Sequence, residues 1–245
     1  MKLTLAEPKL LKESFAIISD LVTETRIQIT EDYLEVIAMD PANVAMVIFK
    51  MPKIVFAEYQ IDEEEILAIN LNNFKQILRR VKPSDVLTLE KLENKLKIVM
   101  KDKSTKTFYL PLLELEDRKQ KVPNLEFKSI VELPSSALSE AIDDVDVVSE
   151  SVALSIQDNK FKVFASGDLT KAEVEMPADD EVLIKTNENH KSKYSTEYLK
   201  KMMAGTKISS RVTVKFSNDY PLSLEFLEQD KVSLGFILAP RVDDD

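Results

Sequence analysis

The stretch LKESFAIISDLVTETRIQITEDYLEVIAMD, Leu11 to Asp40, returns in altered form as LSEAIDDVDVVSESVALSIQDNKFKVFASGD, Leu138 to Asp168. Each copy reads as an amphipathic helix, a short polar break, a strand, a tight acidic turn and a second strand closing on an Asp. Leu138 follows Leu11 by 127 residues in a chain of 245. A repeat of half the chain points to a ring or a pseudo-symmetric partner surface before it points to an active site.

The length suits one large domain or two of about 120 residues, and the repeat favours two. Hydrophobic residues make up 44% and charged residues 31%, enough to close a core under a heavily solvated surface. There is no apolar run of membrane-spanning length, and MKLTLAEPKLLKES lacks the apolar core and small-residue cleavage site of a secretory signal. With no cysteine, disulfides, thiolate nucleophiles and Cys-based zinc sites are excluded. Cytosol or nucleus is the expected compartment: cytoplasmic and nucleoid-associated for a prokaryotic or archaeal source, nuclear for a eukaryotic one. The net charge of −10 would repel nucleic acid on average, so the distribution of charge decides the matter.

Residues 8–22 place Leu10, Leu11, Ser14, Phe15, Ile18 and Leu21 at helical spacing, with Pro8 suited to a first turn. Residues 25–30 and 33–39 alternate around Glu31-Asp32 as a hairpin, and 44–50 form a further strand. Asn70-Leu71-Asn72 leads into a second helix, NFKQILRRV, with Phe74, Ile77, Leu78 and Val81 on one face. Strands are expected at 86–91, 95–100 and 106–113. The second half repeats the order: a helix at 135–147, strands at 151–157, 160–166 and 171–176, a helix at 195–205, and strands at 211–217, 222–227 and 231–238. Two helices beside many short strands in each half give an α+β class, helices on one face of antiparallel sheets. The expected domains are 1–114 and 128–245, joined by a polar, Pro-bearing connector at 115–127.

Catalytic patterns are missing. Three glycines cannot build a Gly-rich phosphate loop, and no HExxH, CxxC, GxSxG or GxGxxG occurs. The one histidine, His190 in NENHKSKYS, reads as a solvated loop residue. The carboxylate runs Glu63-Glu64-Glu65, Asp143-Asp144, Asp179-Asp180-Glu181 and Asp243-Asp244-Asp245 have the chemistry to bind a divalent cation, but as neighbours in loops and tails they read as solvated charge. No enzyme, metal or cofactor is expected. The alternative from another class, a carboxylate-dependent metal nuclease or phosphatase, requires a compact trio of acids from different strands.

Positive charge concentrates on three of the four helices. The first carries Lys9 and Lys12. The second carries Lys75 and Arg79, followed by Arg80 and Lys82. The fourth carries Lys200 and Lys201, with Lys207 just beyond. If these helices share a surface, it is locally basic and suited to phosphates rather than base edges. The third helix, with Glu140, Asp143, Asp144 and Asp146 and no basic residue, breaks the pattern. Its acids could instead meet Arg80, Lys82 and Lys106 of a neighbouring subunit.

AMDPANVAMV (38–47), VPNLEF (122–127), FASGD (164–168), DYPLSLEF (219–226) and the terminal LAPRVDDD (238–245) together resemble the sliding clamps of the proliferating cell nuclear antigen family. The resemblance spans the whole chain. It implies two similar domains of antiparallel sheets with two helices each, the DNA clamp or processivity fold, assembled as a trimeric ring of identical or paralogous subunits around duplex DNA. Such a ring confers processivity and needs only sequence-independent phosphate contacts. A specialised checkpoint-type clamp subunit is the neighbouring reading. The implied DNA-facing residues are Lys9, Lys12, Lys75, Arg79, Lys200, Lys201 and Lys207. The implied partners are DNA polymerase, clamp loader, flap nuclease and DNA ligase, with no membrane.

The family's short-motif pocket maps by position to Met39, Val44, Met46, Val122, Pro123, Leu125, Pro221, Ile237, Leu238, Ala239 and Pro240, and the backbone of 118–123 would add main-chain hydrogen bonds. Ring closure in the family would pair Thr105–Leu113 with Lys171–Met176 of the next subunit, with Arg80, Lys82, Lys106, Phe108, Glu140, Asp144, Glu173 and Glu175 at the interface. Two departures stand out. Glu140 and Asp143 occupy places that are often basic in the family, and Asn43 replaces a larger side chain.

Overall fold

The computed structural model describes residues 1–115, 120–186 and 188–241. They form two compact units: Met1–Pro41 with Val47–Val122 and Glu228–Leu234, and Ala42–Met46 with Pro123–Leu227 and Gly235–Asp245. The first half of the chain runs β1 (Lys2–Leu5), α1 (Lys9–Ile18), β2 (Glu24–Ile29), β3 (Tyr33–Met39), β4 (Ala45–Pro52), β5 (Glu58–Gln60), β6 (Glu65–Asn70), α2 (Leu71–Leu78), β7 (Val86–Lys91), β8 (Lys95–Lys101) and β9 (Thr105–Pro111). The second runs β10 (Ser129–Pro134), α3 (Ser135–Asp146), β11 (Ser151–Gln157), β12 (Lys160–Ser166), β13 (Lys171–Pro177), β14 (Leu183–Lys185), β15 (His190–Ser195), α4 (Thr196–Met203), β16 (Arg211–Phe216), β17 (Leu222–Glu228) and β18 (Val232–Leu238).

The repeat is carried into strand order. In the first half the neighbours are β5-β1-β7-β8-β9 and β4-β3-β2-β6; in the second they are β14-β10-β16-β17 and β13-β12-β11-β15. Each helix pair packs together, α1 on α2 and α3 on α4. The α+β class with two helices per half is therefore as expected. Local chemistry sets several boundaries. The Asn70 side chain caps α2 by accepting from the Asn73 backbone N–H at 3.0 Å. Asp158 and Asn159 both take positive φ, 51° and 58°, joining β11 to β12 by the turn that such residues tolerate. Asn43 has φ 58°, a left-handed conformation in which a bulky or β-branched residue would be strained; this accounts for the small amide there.

Each unit closes its own aromatic core. In the first, Phe15 of α1 meets Phe49 and Phe74 edge-on at 5.5 and 5.0 Å. In the second, Phe161 lies 6.2 Å from Phe216, and Phe226 the same distance from Phe236. Burying each ring stabilises its unit by roughly 1.5–3 kcal/mol. Gly205 sits against Phe226, where an added Cβ would lie 2.4 Å from the ring; no other residue fits without displacing that ring.

Strands β1, β5, β6, β10, β14 and β15 were not legible as strands in the sequence. In β15, HKSKYS, the buried alternate residues are His190, Ser192 and Tyr194, so the inward face is polar and shows no hydrophobic alternation. His190 is accordingly not a solvated loop residue. It is 3% exposed, and its Nδ1 lies 2.7 Å from Ser129 Oγ.

Candidate nucleic-acid interface and partner surfaces

The helices bury one face and leave the other to solvent. In α1 the buried residues are Leu11, Ser14, Phe15, Ile17 and Ile18; in α4 they are Thr196, Leu199, Met202 and Met203. The expected cations lie off these buried faces but are not equivalent. Lys9, Arg79 and Lys207 are exposed and make no ion pair among the described residues, and the same holds for Arg80. Lys12 Nζ donates to the Val81 carbonyl at 2.9 Å. Lys75 pairs with Asp20 at 2.5 Å. Lys200 pairs with Asp146 at 2.5 Å, with Asp143 at 3.9 Å. Lys201 pairs with Glu197 one turn back at 2.7 Å. The hydrogen bond to Asp146 holds the Lys200 ammonium above the ordinary lysine range.

The acidity of α3 is thus partly answered inside its own unit. Glu140 and Asp144 remain exposed without an ion pair among the described residues. Sequence reasoning passed over Asp20, and read Asp146 as a partner for a neighbouring subunit's cations rather than for Lys200. Their signal was an Asp at the end of the first helix in both copies of the repeat.

β9 and β13 each end the order of their sheet, and both alternate exposed and half-buried residues over most of their length. Beside β9, a shallow groove is lined by Gln76, Ile77, Arg80, Phe108 and Leu110. Lys106 is already engaged within the chain, at 2.9 Å from Asp85 and 3.2 Å from the Arg80 carbonyl. Asp85 is buried. The Lys82 backbone N–H and then the Lys106 ammonium hold its carboxyl below the usual aspartate range. Glu173 pairs with Lys162 at 3.3 Å; Glu175 pairs with Lys160 at 2.7 Å and Lys162 at 2.5 Å. Lys160 and Lys162 bring the Glu175 carboxyl down to about 2. Lys82 is exposed.

Of the expected pocket residues in the second unit, Met46 and Leu238 are 3% and 0% exposed, which makes them core rather than contact surface. Val44, Leu125, Pro221, Ile237, Ala239 and Pro240 are half-buried, and Pro123 is exposed. The Ala239 N–H donates to the Val44 carbonyl at 2.9 Å, holding the segment after β18 against the start of β4. The Arg241 N–H donates to Lys193 O at 2.8 Å, fastening the same segment further on. In the first unit, Met39 is half-buried and Val122 exposed. Residues 118 and 119 of the expected peptide-binding backbone, and Asp243–Asp245 of the acidic tail, lie outside the described residues. No group of three or more His, Asp or Glu among the described residues is placed to hold a metal ion, and no helix among them is long and apolar enough to cross a membrane.

One helix-pair-and-sheet unit is written twice, with cations off the buried helix faces and an edge strand, β9 or β13, in each half. Residues 1–120 match the N-terminal domain of proliferating cell nuclear antigen, and residues 121–241 its C-terminal domain. The chain is 35% identical to the DNA polymerase sliding clamp of Thermococcus fumicolans over 92% of both chains, and 34% identical to that of Nanoarchaeum equitans over 99% of this chain and all of the other. In fold it resembles PCNA from Thermococcus kodakaraensis, with a TM-score of 0.91, 23% identity, and coverage of 98% and 99%. The chain belongs to the proliferating cell nuclear antigen family.

Proposed function

We propose that this protein is a DNA polymerase sliding clamp: three copies close into a ring around duplex DNA and tether replication and repair proteins to it, without catalysing a reaction of their own. The observation that carries this reading is end-to-end identity of 34–35% with archaeal sliding clamps that spans more than nine tenths of both chains. Topology replaces affinity: a closed ring stays on DNA with only weak phosphate contacts, and tethering raises the local concentration of a partner. Exposed Lys9, Arg79 and Lys207 are the primary phosphate contacts, while Lys12, Lys75, Lys200 and Lys201 contribute from within their intrachain partnerships.

Subunits join through β9 and β13, each a sheet edge with main-chain groups open to a further strand. Phe108 lies in the seam, and Arg80 and Lys82 face Glu140 and Asp144 of the neighbour. Lys106, Glu173 and Glu175 join that network only by sharing the partners they hold within the chain. The domain junction lies in the connector 115–127, between domains 1–114 and 128–245. A motif with apolar and aromatic side chains docks in the second unit against Val44, Pro123, Leu125, Pro221, Ile237, Ala239 and Pro240, over a floor of Met46 and Leu238. Polymerase, clamp loader, flap nuclease and ligase are the partner classes. The archaeal relatives favour work in the cytoplasm, at the nucleoid.

The test is light scattering of the purified chain followed by retention on DNA after loading. The expected result is a trimer that stays on a closed circular duplex and runs off when the circle is cut. A persistent monomer at micromolar concentration, or equal retention on circular and linear DNA, would overturn the reading.

A further inference from the structure

The two units carry the same ion pair. In the first, Asp20, two residues past the end of α1, holds Lys75 of α2; in the second, Asp146, the last residue of α3, holds Lys200 of α4. Both contacts are 2.5 Å, and the partners lie 55 and 54 residues apart in sequence. Each acid stands where a helix disfavours it, since carbonyl groups concentrate negative charge at a helix C-terminus. Neither α1 nor α3 has a basic residue in its last turn to offset that charge.

Stability does not account for the arrangement. One partner of each pair is open to water, Asp20 at 51% and Lys200 at 45%, against 17% for Lys75 and 33% for Asp146, and an ion pair with a solvated partner contributes little to folding. A local rule broken in the same way in both halves marks a feature kept for function.

On the clamp reading given above, both lysines lie on helices that face the duplex, and the pair then has a clear consequence. A phosphate approaching Lys75 or Lys200 meets a carboxylate already bound to the same ammonium. The ammonium can share its donors with the phosphate, but the Asp beside it repels the phosphate and offsets most of the lysine's attraction. We propose that Asp20 and Asp146 are affinity-limiting residues: they neutralise one lysine in each unit so that the ring grips DNA weakly enough to slide. Asp143, at 3.9 Å from Lys200, reinforces the second clasp.

The test is fluorescence anisotropy of the assembled protein with a labelled duplex, titrated from low to moderate salt. It compares the wild type with Asp20→Asn/Asp146→Asn and with the same pair of changes in a Lys75→Ala/Lys200→Ala background. The double Asn variant is expected to bind about three- to tenfold tighter at low salt and to show a steeper fall of log affinity with log salt, because two more cations per chain displace counterions. It should also diffuse more slowly along DNA, with a melting temperature no lower than that of the wild type. In the lysine-free background the gain should vanish.

Asn variants that bind like the wild type at every salt concentration, while the wild type itself shows salt-dependent binding, would overturn the proposal and leave the clamp reading standing. A gain that survives in the lysine-free background would overturn it too, by tracing the effect to net charge. A wild type with no salt-dependent association would remove the basic lining, and the clasp with it.

Discussion

Lys106 and Asp85 show how a residue's neighbours redirect a plausible role. From the sequence, Lys106 reads as a cross-subunit cation; in the chain it closes on a buried carboxylate that also accepts the Lys82 N–H at 2.8 Å. The folded state depresses the pKa of Asp85 below its ordinary 3.8. A carboxyl with a lowered folded pKa stabilises the fold fully above its unfolded value, and that contribution is lost as pH falls through the folded value. Asp85→Asn should therefore lower the urea midpoint at pH 7, and the gap from the wild type should close below about pH 4. Urea unfolding at pH 7 and pH 3, at fixed protein concentration, measures this. A gap that widens on acidification would contradict the assignment. His190 teaches the same lesson: one polar residue in a polar stretch gives no sign of burial, because what buries it is Ser129 on a strand 61 residues away.

Among the elements, the edge strands β9 and β13 are the proposed subunit seam. Phe108 is half-buried in the isolated chain, beside the groove between α2 and β9, so a change there bears on a subunit seam more than on the core. Phe108→Asp is expected to weaken each subunit contact by about 2 kcal/mol or more, roughly thirtyfold. The chain should then run as a monomer at micromolar concentration in light scattering, with its unfolding midpoint little changed. A variant that stays trimeric would remove β9 from the seam. The helices and long hairpins were legible because apolar period and turn residues are local signals. β1 and β10 were not: four residues of β1 are too few for a periodic signal, β10 runs straight into the helix after it, and what makes each a strand is its partners far along the chain, β5 and β7 for β1 and β14 and β16 for β10.

For the whole molecule, the proposed clamp spreads binding energy over weak surfaces that ring closure would reinforce. The motif pocket is one of these. Ile237 and Leu125 are half-buried, as the proposed docking requires, whereas Leu238 next to Ile237 is core. Ile237→Asp should weaken binding of a peptide with an apolar-aromatic motif by at least about tenfold, some 1.4 kcal/mol. Anisotropy with a labelled peptide measures it, and light scattering should show the assembly intact. Unaltered affinity would place the pocket elsewhere.

Half-chain duplication, the α+β class, the four helices and the concentration of cations on three of them are written in the order of residues, because periodicity, turn chemistry and net charge are properties of neighbours in sequence. Which cations stand open and which are held was decided only in three dimensions. Asp20 and Lys75, or Asp146 and Lys200, meet because two helices of one unit pack side by side, and no local pattern encodes a contact between residues more than fifty positions apart.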